Sequence, residues 1–121
     1  MALIVHSTVF SDAMGVENET IIKDDYMVAS YGTLASYKAS KGRLNLPEAS
    51  WEATDYGASF LEITFGRQLS MITAVATQGS GKLHNWVKTY LLSFSTWGDE
   101  WIVYTEDGHA KVRKDFLLVS F

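Results

Sequence analysis

Short runs of alternating apolar and polar residues constrain the fold of this chain more than any other feature. In residues 61–65, Leu-Glu-Ile-Thr-Phe, apolar side chains alternate strictly with polar ones, as a half-buried strand requires. Gly66 ends this run. Nowhere does an apolar stripe with the period of a helix continue for about a dozen residues. The sequence therefore predicts an all-β fold.

Three further segments have the composition of strands. Residues 69–77 are rich in small and β-branched residues and carry apolar side chains at both odd and even positions, which favours a central strand buried on both faces. Residues 86–95 predict another strand, and residues 101–104 predict its partner across a hairpin. Gly98 lies between them and tolerates the positive φ of a turn. We expect antiparallel neighbours in a sandwich or barrel.

Length, composition and charge indicate a single folded domain over residues 1–121. The 13% aromatic content excludes a disordered linker, and the formal net charge of −4 argues against a nucleic-acid partner. The absence of cysteine excludes a disulfide scaffold and a thiolate metal site. No apolar run reaches the roughly 18 residues that span a bilayer, and the apolar residues 1–5 lack the basic flank of a secretion signal. We therefore expect membrane contact, if any, to be peripheral.

Three polar segments rich in glycine and serine separate the strands and are candidate binding loops. We name them the first loop (residues 31–42), the second loop (residues 52–59) and the third loop (residues 79–85). Loops of this length are usually functional or mobile. The first loop combines tyrosines and a leucine with lysines. In a headgroup-level anchor, the rings enter the membrane interface and the ammonium groups meet anionic lipid.

A search for catalytic and metal-binding patterns is negative. His6, His84 and His109 are far apart in sequence, and neither a nucleophile-elbow nor a zinc-protease motif occurs. Pairs of adjacent acidic residues are typical of solvated surface, so calcium is conceivable but supported by no clear motif. The sequence predicts no catalytic residue, no metal site and no cofactor.

Several short sequence boxes occur in an order that is typical of one known family. They are Met14-Gly15-Val16-Glu17, Ile22-Lys23-Asp24-Asp25-Tyr26-Met27-Val28-Ala29-Ser30, Arg43-Leu44-Asn45 followed by Trp51, Phe60-Leu61-Glu62-Ile63-Thr64-Phe65-Gly66, Val75-Ala76-Thr77-Gln78-Gly79, and Trp86-Val87-Lys88-Thr89-Tyr90 followed by Trp101. Over about residues 14–112 the chain resembles discoidin domains, also known as the C domains of coagulation factors five and eight. The resemblance implies a jelly-roll β-barrel of antiparallel strands whose spike loops, at one end, bind phospholipid headgroups, sugars, collagen or peptides. It also implies an extracellular or cell-surface location and no enzymatic activity.

The sequence departs from this family at its end. The family carries terminal cysteines, which are absent here, and an aspartate where this chain has Thr64. Residues 113–121 form a divergent tail, so the closing strands of the barrel look missing or replaced. Residues 116–121 are apolar and β-prone. We expect them to act as a substitute strand in the same chain or as an edge that pairs with a second copy.

The resemblance makes the three loops the predicted spikes, and it supplies the candidate ligand-binding residues. These are Tyr31, Leu34, Tyr37, Lys38 and Lys41 in the first loop, Arg43 at its base, Asp55 and Tyr56 in the second loop, and Lys82, Leu83 and His84 in the third loop. Arg43 fits either a structural ion pair or hydrogen-bond network, or the wall of a ligand cleft. Asp55 and Tyr56 suit a sugar, although the same residues are common turn chemistry.

The tryptophans divide differently. Trp51, Trp86 and Trp101 lie in family boxes that pack the barrel, so we predict them in the core. The position of Trp97 is left open.

The leading functional hypothesis is attachment to anionic phospholipid on a membrane surface, and the alternative is a lectin that binds a cell-surface glycan. A third alternative is an assembly protein that forms a homo-oligomer through its C-terminal strand.

Overall fold

Strands dominate the structure, a computed structural model that describes residues 2–7, 16–31, 38–47, 49–53, 59–66, 72–80, 84–110 and 115–120. The strands are β1 (Ala2–Ser7), β2 (Met27–Ala29), β3 (Leu61–Thr64), β4 (Ile72–Gln78), β5 (Tyr90–Ser95), β6 (Ile102–Val103), β7 (Thr105–Glu106), β8 (His109–Ala110) and β9 (Asp115–Ser120). Two short 3-10 helices, Asp24–Tyr26 and Ala39–Gly42, are the helices in the described ranges. The predicted all-β class is confirmed.

The described strands form one larger sheet and two small ones. The five-stranded sheet has the order β2-β3-β9-β5-β6, while β1 pairs with β4 and β7 pairs with β8. The predicted antiparallel arrangement is confirmed for β1–β4, β2–β3, β5–β6 and β7–β8. It is wrong for β9, which is parallel to both β3 and β5. Parallel strands need a long connection, and the chain from β6 to β8 provides it between β5 and β9.

A single row of paired residues crosses all five strands of the larger sheet. It runs through Met27, Ile63, Val119, Phe94 and Ile102. Because side chains alternate between the faces of a strand, the described side chains of Met27, Ile63 and Ile102 share a face. Met27 and Ile63 are buried on this face, and Ile102 at the sheet edge is exposed. The alternating burial of β3 confirms the half-buried strand predicted for residues 61–65.

The hydrophobic core lies between the five-stranded sheet and the β1–β4 pair. Leu61 and Ile63 of β3 are fully buried in it, and Ile72 and Val75 of β4 pack against it. Complete burial of one such side chain contributes about 1.5 to 3 kcal/mol. The central position predicted for residues 69–77 is wrong, since β4 pairs with β1 alone among the described strands. Branched apolar residues suit a strand that packs on a core from either position, so composition did not distinguish the two.

The C-terminal tail forms an internal strand of the chain's own sheet. Glu62 of β3 and Ser93 of β5 both pair with Leu118 of β9, one on each side. Of the two roles expected for residues 116–121, the substitute strand is the one observed. Because both edges of β9 are occupied within the chain, β9 offers no free edge to a second copy.

Glu62 lies in the middle of the five-stranded sheet, on the face opposite to the core. It pairs with Val28 on one side and Leu118 on the other, and it is half-buried. Desolvation by this burial raises the pKa of the Glu62 carboxyl above its ordinary value. The fold therefore holds the Glu62 carboxyl in a place that favours its protonated form.

Removal of β9 is expected to unfold the monomer. Without residues 115–121, the β2–β3 and β5–β6 pairs lose the strand that joins them, and a two-stranded unit is marginally stable in water. The variant Val119→Pro deletes one backbone donor in the same strand and should lower the free energy of unfolding by at least about 1 to 3 kcal/mol, because the fixed φ of the proline ring adds to the lost hydrogen bond. Urea denaturation and light scattering measure both effects. A full-length dimer that dissociates into stable monomers on deletion contradicts the observed pairing.

Glu62→Gln is expected to stabilise the protein at neutral pH. The raised pKa means that the folded state binds the proton more tightly than the unfolded state does. At a pH well below the ordinary pKa, the Glu62 carboxyl is protonated in the folded and the unfolded state and does not lower stability. As the pH rises through the raised pKa, the free energy of unfolding falls. The variant removes this loss, so its advantage over the native chain should grow between acidic and neutral pH. Thermal denaturation across that range tests it, and a constant difference between the two proteins rules the mechanism out.

Candidate functional site

The described bases of the three candidate loops lie at one end of the five-stranded sheet. Ala29, the last residue of β2, pairs with Leu61, the first residue of β3. Tyr90 and Asp115, the first residues of β5 and β9, also pair with each other, and β3, β9 and β5 run parallel. The first loop leaves β2, the second loop leads into β3, and the third loop precedes β5. The described bases of all three loops therefore lie at this end, which we call the loop end.

Hydrogen bonds tie the bases of the first and second loops together. The Ser30 backbone nitrogen donates to the Phe60 carbonyl oxygen at 3.1 Å. The Phe60 nitrogen donates to the Ser30 hydroxyl oxygen at 2.9 Å. The next residue, Tyr31, has a φ of 58°, a left-handed conformation that is uncommon outside glycine, and it is exposed. The first loop thus leaves the sheet through a sharp turn that carries an exposed aromatic residue.

A second link joins the end of the first-loop region to the start of the third loop. The Asn45 backbone nitrogen donates to the side-chain oxygen of Gln78 at 3.0 Å. Asn45 has a φ of 57°, which asparagine tolerates better than most residues. The third loop is closed by a hydrogen bond of 2.9 Å from the Ser80 nitrogen to the Asn85 carbonyl oxygen. The bases of all three loops are therefore connected through the protein.

A cavity of about 220 Å³ lies between the second and third loops. Its walls are Ser50, Trp51, Glu52, Ala53, Asn85, Trp86 and Val87. The carboxyl group of Glu52 and the amide of Asn85 are hydrogen-bonding groups beside the large aromatic surface of Trp86. The lining of this cavity therefore combines one exposed aromatic face with two polar groups.

Trp86 is the exposed residue that the sequence reasoning missed. It is 66% exposed, so its predicted core position is wrong, whereas that of Trp51 is confirmed at 2% exposure. Val87 packs against the core, and its neighbour Trp86 turns outward at the start of an extended segment. The alternation of Trp86 and Val87 was the signal available in the sequence. Trp101 is half-buried.

Trp97 provides a natural comparison with Trp86. It is 81% exposed and follows the last residue of β5, Ser95, whereas Trp86 precedes the first residue, Tyr90. The Gly98 nitrogen donates to the Ser95 hydroxyl oxygen at 2.8 Å and fixes the turn. Two exposed tryptophans thus flank one strand, and Trp97 lies at the end opposite to the loops.

Arg43 is built into the protein below the first loop. It is 5% exposed, and its Nη1 donates to the Val16 carbonyl oxygen at 2.8 Å. Its Nη2 forms an ion pair with Asp24 at 2.6 Å. Just before it, a Cβ added to Gly42 would lie 2.6 Å from the buried side chain of Leu61, so glycine permits this close approach. Of the two roles expected for Arg43, the geometry supports the structural one.

The first loop also carries positive charge in its described part, where Lys38 is exposed and Lys41 is half-buried. His84, in the third loop, is exposed. Lys88 is an exposed cation that the sequence analysis did not select, because it lies beyond the third loop and close to Trp86. The remaining predicted ligand-binding residues lie outside the described residues: Leu34, Tyr37, Asp55, Tyr56, Lys82 and Leu83.

The described part of the chain contains neither a metal-binding cluster nor a membrane-spanning helix. Within those ranges, no group of three or more histidine, cysteine or acidic side chains is placed to hold a metal ion. The same ranges contain no helix with the length and apolar character needed to cross a bilayer.

The fold and the loop end together define a class of protein, an all-β domain with clustered loops suited to binding. Comparison with known proteins adds the next step: the chain is similar to part of the neuropilins. It is 33% identical to neuropilin-1 of Rattus norvegicus over 105 residues, 34% identical to neuropilin-1 of Homo sapiens over 101 residues, and 31% identical to neuropilin-2 of Homo sapiens over 104 residues. These matches cover 82%, 78% and 82% of the chain, and 11% of the length of each relative. No family model and no solved structure matches the chain.

Substitution of Arg43 separates its two possible roles. Arg43→Met keeps much of the packing but leaves the Val16 carbonyl without its donor, so the free energy of unfolding should fall by about 1 to 3 kcal/mol. Asp24→Asn should cost less, about 1 kcal/mol at most, because the Asp24 side chain is 60% exposed. Urea denaturation measures both. An Arg43→Met protein of native stability that no longer binds ligand identifies Arg43 as part of the ligand cleft.

Proposed function

We propose that this chain is a discoidin-type, non-enzymatic binding module that attaches to anionic phospholipid headgroups through its loop end. The ordered sequence boxes support the discoidin assignment, as does the similarity to neuropilins, which contain domains of this type. Neuropilins are cell-surface receptors with extracellular domains, and we propose an extracellular location for this chain as well.

The observation that carries the proposal is the exposed indole of Trp86 at the loop end. A tryptophan combines a large apolar surface with one polar N–H group, which suits it to the boundary between headgroups and acyl chains. Tyr31, 48% exposed at the base of the first loop, adds a second amphipathic ring at the same end of the sheet. Two aromatic residues held on connected loop bases form a preorganised apolar contact for a membrane surface.

Positive charge beside these rings supports an anionic surface as the ligand. Lys38 and Lys88 are exposed in the segments that carry Tyr31 and Trp86, although the whole chain has a formal net charge of −4. Each lysine near an anionic bilayer contributes about 1 kcal/mol of attraction. By sequence, Lys82 belongs to the same third loop, and Leu34 and Tyr37 belong to the first loop. We include all three in the proposed contact.

A second candidate function, glycan binding, is favoured by the cavity between the second and third loops. An aromatic ring stacks on the apolar face of a sugar, while a carboxylate and an amide accept and donate hydrogen bonds to its hydroxyl groups. Trp86, Glu52 and Asn85 supply these groups around a volume of about 220 Å³. Asp55 and Tyr56 of the second loop would extend such a site.

Substitution of Trp86 tests the membrane proposal. Trp86→Ala should weaken binding to phosphatidylserine-containing liposomes by more than about tenfold, because insertion of a large apolar side chain is worth about 1.5 to 3 kcal/mol. The matched control Trp97→Ala removes an exposed tryptophan from the opposite end of the sheet and should bind like the native protein. Liposome co-sedimentation with and without phosphatidylserine measures the difference. Equal affinities for the native chain and the Trp86→Ala variant contradict the proposal.

Glu52→Gln separates the two candidates in the same assay. Removal of this carboxylate should leave binding to anionic liposomes unchanged or stronger, since one repulsive charge is lost. If a glycan is the ligand, the same variant should bind a glycan array more weakly while liposomes are not bound at all. That pair of results replaces the membrane proposal with the lectin.

A further inference from the structure

A candidate modification site lies ahead of β2, in the sequence Asn18-Glu19-Thr20. This is the acceptor pattern for N-linked glycosylation, an asparagine followed after one non-proline residue by serine or threonine. The chain has two other asparagines, and neither Asn45 nor Asn85 is followed by the pattern. The pattern alone is common by chance, so a modification site also requires that Asn18 be exposed with its amide nitrogen accessible.

The acceptor residues are on the surface and form a defined turn. Asn18, Glu19 and Thr20 are all exposed. The Thr20 backbone nitrogen donates to the Asn18 Oδ1 at 2.9 Å, and the Thr20 hydroxyl donates to the same oxygen at 2.7 Å. The main-chain carbonyl of Asn18 accepts hydrogen bonds of 3.0 Å from Ile21 and Ile22.

The oxygen and the nitrogen of the Asn18 side-chain amide have different surroundings. Its Oδ1 is held in the turn, while no described residue accepts a hydrogen bond from its Nδ2. A sugar on Nδ2 leaves Oδ1 in place as an acceptor, so the turn is compatible with the modification. Ile22 is buried at 6% exposure in the core and fixes the turn to the body of the domain. The exposed amide is therefore presented outward on a rigid base.

We propose that Asn18 carries an N-linked glycan. The donor is an oligosaccharide linked to a lipid pyrophosphate, and the step is a glycosyl transfer. The Asn18 Nδ2 forms a bond to the anomeric carbon of the sugar, the bond from that carbon to the pyrophosphate oxygen breaks, and one amide proton leaves to a base. The lipid pyrophosphate is the leaving group. The inference rests on the extracellular location in the proposed function, because this donor is used in the secretory pathway.

The test is translation of the full chain behind a signal peptide in the presence of microsomes, followed by digestion with a peptide N-glycosidase, which hydrolyses the amide bond between asparagine and the sugar, and by peptide mass spectrometry. The native chain and Thr20→Ser, which keeps the hydroxyl, should gain one glycan that the enzyme removes, with Asn18 converted to aspartate. Asn18→Gln and Thr20→Ala should gain none. Asn85→Gln changes an asparagine outside the pattern and should be glycosylated like the native chain. An unglycosylated native chain, or a glycan that persists in Asn18→Gln, overturns the proposal.

A second measurement tests the surface position of the site. Protein secreted from animal cells should lose its glycan to the peptide N-glycosidase equally well before and after denaturation, because Asn18 is exposed in the folded domain. Resistance of the folded protein shows that the site is not presented as described and overturns the structural argument. Lipid binding is measured separately on unmodified bacterial protein, so failure of either proposal is distinguishable from failure of the other.

Discussion

The parallel insertion of β9 between β3 and β5 is the constraint on which the arrangement of the binding loops depends. Leu118 pairs with Glu62 on one side and Ser93 on the other, so the directions of β3 and β5 are set by the same strand. Because β3 and β5 are parallel, their first residues lie at the same end of the sheet, and the segments that precede them arrive at that end. The second and third loops are those segments, and β2, antiparallel to β3, delivers the first loop to the same end.

Polar contacts join the bases of the loops to one another. Ser30 joins the first loop to Phe60 at the end of the second, and Asn45 joins the first-loop region to Gln78 before the third. Arg43, buried beneath the first loop, satisfies a backbone carbonyl and pairs with a partly exposed carboxylate. These contacts link residues at the bases of the three loops to one another and to the sheet. A scaffold that positions binding loops in this way is typical of binding domains.

The sequence predicted local features well and long-range pairing less well. Alternation in residues 61–65 identified a strand because burial of one face imposes a period of two, and β3 follows it residue by residue. The parallel pairing of β9 was not foreseen, since an apolar tail such as residues 116–121 fits many positions in a sheet. Trp86 was assigned to the core from its place in a family box, whereas the burial of its neighbour Val87 turns it outward. The structural role of Arg43 was one of two alternatives, and its partner Val16 is distant in sequence, so only the fold distinguished them.

The proposed function confines ligand contact to the loop end. Hydrogen–deuterium exchange on the native chain, with and without phosphatidylserine-containing nanodiscs, tests this claim most directly, because it reports every segment at once without substitution. We expect slower exchange in the peptides that contain Tyr31, Lys38 and residues 84–88. We expect unchanged exchange in residues 96–101, around Trp97, which is more exposed than Trp86 and lies at the other end of β5. Protection of residues 96–101 with no change in residues 84–88 would contradict this claim.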